Sequence, residues 1–208
     1  FTVRHGRFRG DSPDCDDTRS GGICGKNVDS CIAQECVITD CMGHRGGALY
    51  GTTAVRCRIF DCTAADGSAG KIVYMHGCVI GAVNNGVSHP KILSNCTFLP
   101  ECKTPLSAYF TASTPVRNSI IIGSFAAKES NPVHLYNCVV AEGVISDAVA
   151  PYVHMTDCIV TNIEAIALAA DGSITKDSCA VDFGSNAYVS ESVMDMDFVG
   201  GQRIYNGR

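Results

Sequence analysis

The 208-residue chain contains no tryptophan, and no stretch of it approaches the roughly 20 apolar residues that a membrane-crossing helix needs. Charged residues make up only 18%, and their balance is acidic, with a net charge of -5 and a pI of about 5.6. A nucleic-acid binder needs a basic face, so that class of partner is excluded. No two cysteines stand three positions apart, so the C-x-x-C pairs of common zinc sites are missing. The P-loop, the dinucleotide-binding glycine pattern and the G-x-S-x-G nucleophile turn are missing too. No stretch sustains a helical period. EAIALAA (164–170) is the one short candidate, and its flanks favour coil. There is no initiator methionine and no signal peptide. The chain begins at Phe1 inside the strand-like FTVRHGRF, which reads as a processed product or a fragment of a longer exported protein.

What the chain has in excess is cysteine (13) and glycine (21), on a background that is 46% apolar. An odd number of cysteines cannot all pair within one chain. Two of the cysteine pairs sit in near-identical phrases, ECVITDC at 35 and RCRIFDC at 56. Further copies follow: GCVIGAV at 77, NCTFLPEC at 95, NSIIIGS at 118, NCVVAEG at 137, DCIVTNI at 157 and SCAVDFG at 178. The leading positions are Cys36, Cys57, Cys78, Cys96, Ser119, Cys138, Cys158 and Cys179, and HGRF at 5 is a fainter first copy. A step of about 20 residues held over most of a chain signifies a repeat architecture.

Each copy reads as strand and corner. The leading cysteine and the residue two later are apolar, as in Cys57/Ile59 and Cys96/Phe98, and period-2 alternation marks a strand with one buried face. A second strand precedes each copy: KIVYM (71–75), PKILS (90–94), PVHLY (132–136) and PYVHM (151–155). Between the two strands stands a residue suited to a left-handed corner: Asn95, Asn118, Asn137 or Asp157. The expected fold is all-β. It is a single-stranded parallel β-helix of eight to nine coils, roughly 20 residues per coil, with coils stacked about 4.8 Å apart in a rod of about 40 Å. All 208 residues form one domain, with 11–30 an inserted loop and 190–208 a closing tail. Cys36, Cys57, Cys78, Cys96, Cys138, Cys158 and Cys179 then form a structural core ladder of buried thiols. Any disulfide belongs outside it, among Cys15, Cys24 and Cys31.

The phrase GGALYGTTAVRCRIFDC, with its recurring strand and N-C-x-[IVF] pattern, resembles the repeats of right-handed parallel β-helix surface proteins. The polymorphic outer membrane proteins and the pectate-lyase-like domains of bacterial surface proteins are of this kind. The resemblance implies a right-handed coil and an extracellular or cell-surface location. It also implies that DMDFVGGQRIYNGR closes the last rung. It does not choose a chemistry, because this fold carries lyases, hydrolases and adhesins alike.

Several residues are candidates for a site. Asp11, Asp14, Asp16 and Asp17, in DSPDCDD, offer hard oxygen ligands that suit calcium, the one cofactor this chain suggests. The plain alternative is a solvated acidic loop. Tyr74, His134 and His154 each stand four residues before a ladder cysteine, between apolar neighbours, and so point outward. They suit a sugar-binding stripe, and the two imidazoles also suit a transition metal. Ordinary strand surface explains them as well. Arg56 and Arg58 flank Cys57 with Arg45 nearby and suit an acidic glycan, and Asp61 and Asp66 lie close by. Short inter-repeat steps leave little material for the walls of a catalytic groove. The favoured expectation is therefore a non-enzymatic, exported surface protein, a rigid structural or adhesive module whose partner is a glycan or a host or neighbour-cell surface. The alternative is a polysaccharide lyase or glycoside hydrolase acting on an acidic glycan. Because the first coil starts without a cap, end-to-end stacking on another chain is also expected.

Overall fold

In the repeat unit, apolar residues alternate along strands too short to stand alone, so each rung must find its hydrogen bonds in the next. A computed structural model describes residues 1–6, 21–25, 31–103, 115–124, 127, 129–130, 132–181 and 183, and shows that pairing as a parallel β-solenoid. One sheet stacks eight strands: Thr2–Arg4, Val37–Thr39, Arg58–Phe60, Val79–Ile80, Thr97–Phe98, Ile120–Ile121, Val139–Ala141 and Ile159–Thr161. A second sheet contains nine: Ile23–Cys24, Ile32–Gln34, Leu49–Val55, Gly70–His76, Val87–Ser88, Ile92–Ser94, Pro115–Arg117, Val133–Tyr136 and Val153–Thr156. Among the described residues a third face holds only Met42–Arg45 and Thr63–Asp66. Every strand pairing is parallel and follows the repeat. No described helix is long and apolar enough to cross a membrane.

The described residues complete about five turns of roughly 21 residues. The expected eight or nine coils are not reached: the turns through 7–30 and 104–114 are not complete among the described residues, and the spacing departs from the repeat at both ends. Val3 pairs with Ile38 across a 35-residue step, well over the usual spacing. At the other end, the described part of SCAVDFG folds as turns and adds no strand to either sheet.

Two inward columns make the core. Ile38, Ile59, Ile80, Phe98, Ile121, Val140 and Val160 are successive Cα partners in the eight-stranded sheet. Ala33, Ala54, Met75, Leu93, Val116, Leu135 and Met155 are their counterparts in the nine-stranded sheet. Nearly all are fully buried, and each large one contributes roughly 1.5–3 kcal/mol of transfer free energy. The last described rung is the exception: Met155 is 45% exposed and Val160 50%.

The corner between the sheets is a column of its own. Glu35, Arg56, Gly77, Asn95, Asn118, Asn137 and Asp157 occupy it, all with φ between 47° and 61°. Left-handed backbone costs a side-chain-bearing residue about 1–2 kcal/mol, which glycine escapes and Asn or Asp softens. The expected corners at Asn95, Asn118, Asn137 and Asp157 have this conformation.

Beyond the last strand, the chain turns back over the outside of the eight-stranded sheet. EAIALAA, expected as coil, contributes instead to a one-turn helix, Ile163–Ile166. Asn162 caps it, accepting the Ala165 N–H at 2.9 Å, and Ala167 ends it at φ 43°. Ile166 is buried against Ile120, Ile122, Val139 and Ala141, with Leu168, Cys179, Ala180 and Phe183 packed alongside. Further back, Gly172 (φ +81°) approaches Val79 so closely that an added Cβ would stand 2.6 Å from its Cγ1.

Candidate functional site

The ladder position is shaped by the left-handed corner before it. In the first corner the thiol of Cys57 donates to Ala33 O one rung back (3.2 Å) and to Val55 O in its own rung (3.5 Å). Cys78, Cys96, Cys138 and Cys158 repeat both contacts at 3.3–3.6 Å. Cys36 donates to Gln34 O at 3.2 Å. Ser119 stands in the same place and donates to Arg117 O at 2.8 Å. The next corner repeats the device: Asp40 and Asp61 are left-handed, and Cys41 and Cys62 donate to Thr39 O (3.4 Å) and Phe60 O (3.1 Å). The doubled phrase of Cys36/Cys41 and Cys57/Cys62 therefore marks the two ends of one strand. Cys179 lies apart, in the apolar cluster on the outer face. All twelve described cysteines are free, Cys24 and Cys31 included, and Cys15 lies outside the described residues. Burial pushes the thiols of Cys78, Cys138 and Cys102 well up, which keeps them protonated and poorly reactive.

Tyr74, His134 and His154 share one outward column of the nine-stranded sheet. Ile32, Thr53, Tyr74 and Ile92 are successive Cα partners, and Pro115, His134 and His154 continue the same row. Ile92 and Pro115 thus separate Tyr74 from the histidines. His134 and His154 meet directly, with ring centroids 4.7 Å apart and planes tilted by 31°.

The two arginines do not form a patch. Arg56 is a corner residue whose guanidinium pairs with Glu35 one rung back, and that hydrogen bond holds the Glu35 carboxyl below its ordinary range. Arg58 lies on the opposite sheet's outer face. Its guanidinium is 5.5 Å from the Phe60 ring centroid and donates to the Asp171 carbonyl at 3.2 Å, which ties it to the returning segment. Asp11, Asp14, Asp16 and Asp17 lie outside the described residues. Among the described residues no three His, Cys, Asp or Glu gather as a metal cage.

One polar cluster was only half visible in the sequence. Arg45 and Asp66 are Cα partners on the third face, and Asp66 forms an ion pair with Lys71. Burial pushes the Asp66 carboxyl up, but the Lys71 and Ser88 hydrogen bonds and the Lys71 charge outweigh it and leave it low. Ser88 Oγ and His89 Nδ1 lie 2.8 Å apart, and burial followed by the Lys71 charge lowers the His89 pKa. Only the Asp66–Arg45 proximity could be anticipated, because Lys71, Ser88 and His89 reach Asp66 through the rung stacking. Beside this cluster is a shallow groove of about 320 Å³ lined by Met42, Gly43, Thr63, Ala64, Ala65, Asn84 and Asn85. It lies where the short 18-residue step from Ile80 to Phe98 leaves no third-face strand. Asn85 closes the exposed edge, donating to Ala64 O (3.1 Å) and Ala65 O (3.3 Å).

Comparison with protein-family models, with curated proteins and with solved structures finds no match.

Proposed function

We propose that this chain is a rigid module of an exported, cell-surface protein, which offers the outer face of a right-handed β-helix to a glycan or a neighbouring cell. The right hand follows the strong preference of parallel crossover connections. The resemblance of GGALYGTTAVRCRIFDC to the polymorphic outer membrane repeats supports the surface location. Cys78, Cys102 and Cys138, whose thiols burial holds in their protonated form, are shielded in an oxidising exterior, because the thiolate is the form that oxidises.

The observation that carries this proposal is the outward column through Tyr74, Ile92, Pro115, His134 and His154, spaced by the rungs of the nine-stranded sheet. Rings at fixed spacing suit the stacking of sugar faces. The described carboxylates Asp40, Glu35 and Asp66 are engaged by His5, Arg56 and Lys71. End-to-end stacking belongs to the same proposal: Met155 and Val160 are core positions half exposed in the last described rung. Open strand edges of this kind pair readily with a second chain. The second candidate, a lyase or hydrolase on an acidic glycan, draws its support from the grouping of Asp66 with Lys71, Ser88 and His89.

The test is binding to a panel of immobilised acidic and neutral glycans by the wild-type chain and by Tyr74→Ala and His154→Ala. Binding weakened at least tenfold by either substitution is the expected result. Retention of no glycan, or equal retention by both variants, would remove the column from the proposal.

A further inference from the structure

We propose that His134 and His154 together hold a divalent transition-metal ion on the outer face of the nine-stranded sheet. The two residues are Cα partners in adjacent parallel strands, so their side chains leave the sheet in the same direction, one rung apart. Their inward neighbours fix that direction: Val133 and Leu135 are buried in the core, and Met155 and Val153 take the same positions one rung on. The rings stand 4.7 Å apart at their centroids, tilted by 31°. Two nitrogens on one ion lie at most about 4.2 Å apart, twice the usual metal–nitrogen distance of about 2.1 Å. The centroid spacing of 4.7 Å is of the same order as that separation.

The other described imidazoles with a side-chain partner are used differently. His5 pairs with Asp40, His76 Nδ1 lies 2.6 Å from Ser94 Oγ, and His89 Nδ1 lies 2.8 Å from Ser88 Oγ. Only His134 and His154 stack on each other. The ligand set is two neutral imidazoles, with water completing the shell, because no cluster of three or more protein ligands forms among the described residues. Imidazole donors suit copper, nickel and zinc over calcium or magnesium, and affinity should rise from nickel to copper. The site is open and outward, so the ion exchanges freely. The inference rests on the histidine pair alone and holds whether or not the column contacts a glycan.

The test is calorimetric titration of the full chain with nickel chloride, in a Cys24→Ser background that removes an exposed thiol. One ion per chain is expected in the parent, with affinity lowered at least tenfold by His134→Gln and by His154→Gln separately. Tyr74→Ala should leave nickel binding unchanged while weakening any glycan binding, which separates the two proposals. Far-ultraviolet circular dichroism checks that each variant keeps its strands. Absence of nickel binding by the parent would overturn the inference, as would undiminished binding by either histidine variant.

Discussion

Ser119 Oγ accepts the backbone N–H of Cys96 at 3.1 Å across one rung, and Cys158 Sγ accepts that of Cys138 at 3.4 Å in the same way. The left-handed corner turns these N–H groups out of the sheet ladder, and the side chain of the next rung receives them. A small side chain that both donates and accepts suits this position, and serine and cysteine meet that need.

Replacing Ser119 by alanine removes the acceptor of a buried N–H, so it should cost about 1–3 kcal/mol. Replacing it by cysteine extends the thiol column through the gap and should cost less than about 1 kcal/mol, within the range of near-isosteric core changes. Urea denaturation of both variants gives the comparison. Equal losses for alanine and cysteine would refute the hydrogen-bonding role.

The left-handed corner at Asn137 (φ 50°) can be tested in the same way. Asn137→Ala should lose about 1 kcal/mol, while Asn137→Gly should stay within a few tenths, because glycine adopts this backbone freely. Alanine as stable as glycine here would mean that the corner carries no strain.

The returning segment can be detached without touching the inner core. Ile166 is fully buried on the outside of the sheet, so Ile166→Ala should cost about 2–5 kcal/mol. Hydrogen exchange should quicken first around Ile163–Ile166 and leave Val79–Ile80 slow. Uniform loss of protection throughout the chain would show that cover and core unfold as one unit.

Stability should fall on both sides of neutrality. Hydrogen bonds with neighbouring thiols bring Cys41, Cys57 and Cys158 down to about 7, whereas burial holds Cys78, Cys102 and Cys138 above the ordinary thiol value of 9.0. The unfolded chain releases the protons of those last three near pH 9 while the folded chain keeps them, so stability is lost as pH rises through and beyond that value. On the acid side, burial and then the Lys71 charge lower His89 from 6.5, so the unfolded chain takes up its proton first and stability declines as pH falls below 6.5. Asp66 adds a further loss below its ordinary 3.8, since its folded pKa is lower still. Denaturation midpoints should be lower at pH 5 than at pH 7.5 and lower at pH 11 than at pH 9, and equal midpoints at pH 9 and 11 would contradict the contribution of the buried thiols.

The repeat was legible because each rung must bury the same columns, and that constraint leaves Cys36, Ile38 and their successors at regular intervals. Corner residues were legible for the same reason, since few side chains tolerate left-handed backbone. The ends were not. SCAVDFG looks like a rung locally, but whether a segment joins the stack depends on neighbours that the phrase does not contain. Ile120, Ile122 and Val139 looked like ordinary strand residues. Their outward burial under Ile166 follows from a fold-back that no local periodicity records. The pair His134/His154 was legible as a spacing, whereas the ties that remove Arg56 and Arg58 from a common patch depend on Glu35 and Asp171, set by stacking and by the return of the chain.

The most direct measurement is the release of new reducing ends from acidic and neutral polysaccharides, with calcium and with chelator. A rigid, non-enzymatic surface module releases none above background in either condition. Release from an acidic polysaccharide would contradict that function and direct attention to Asp66, Lys71 and His89, and calcium dependence would add Asp11, Asp14, Asp16 and Asp17.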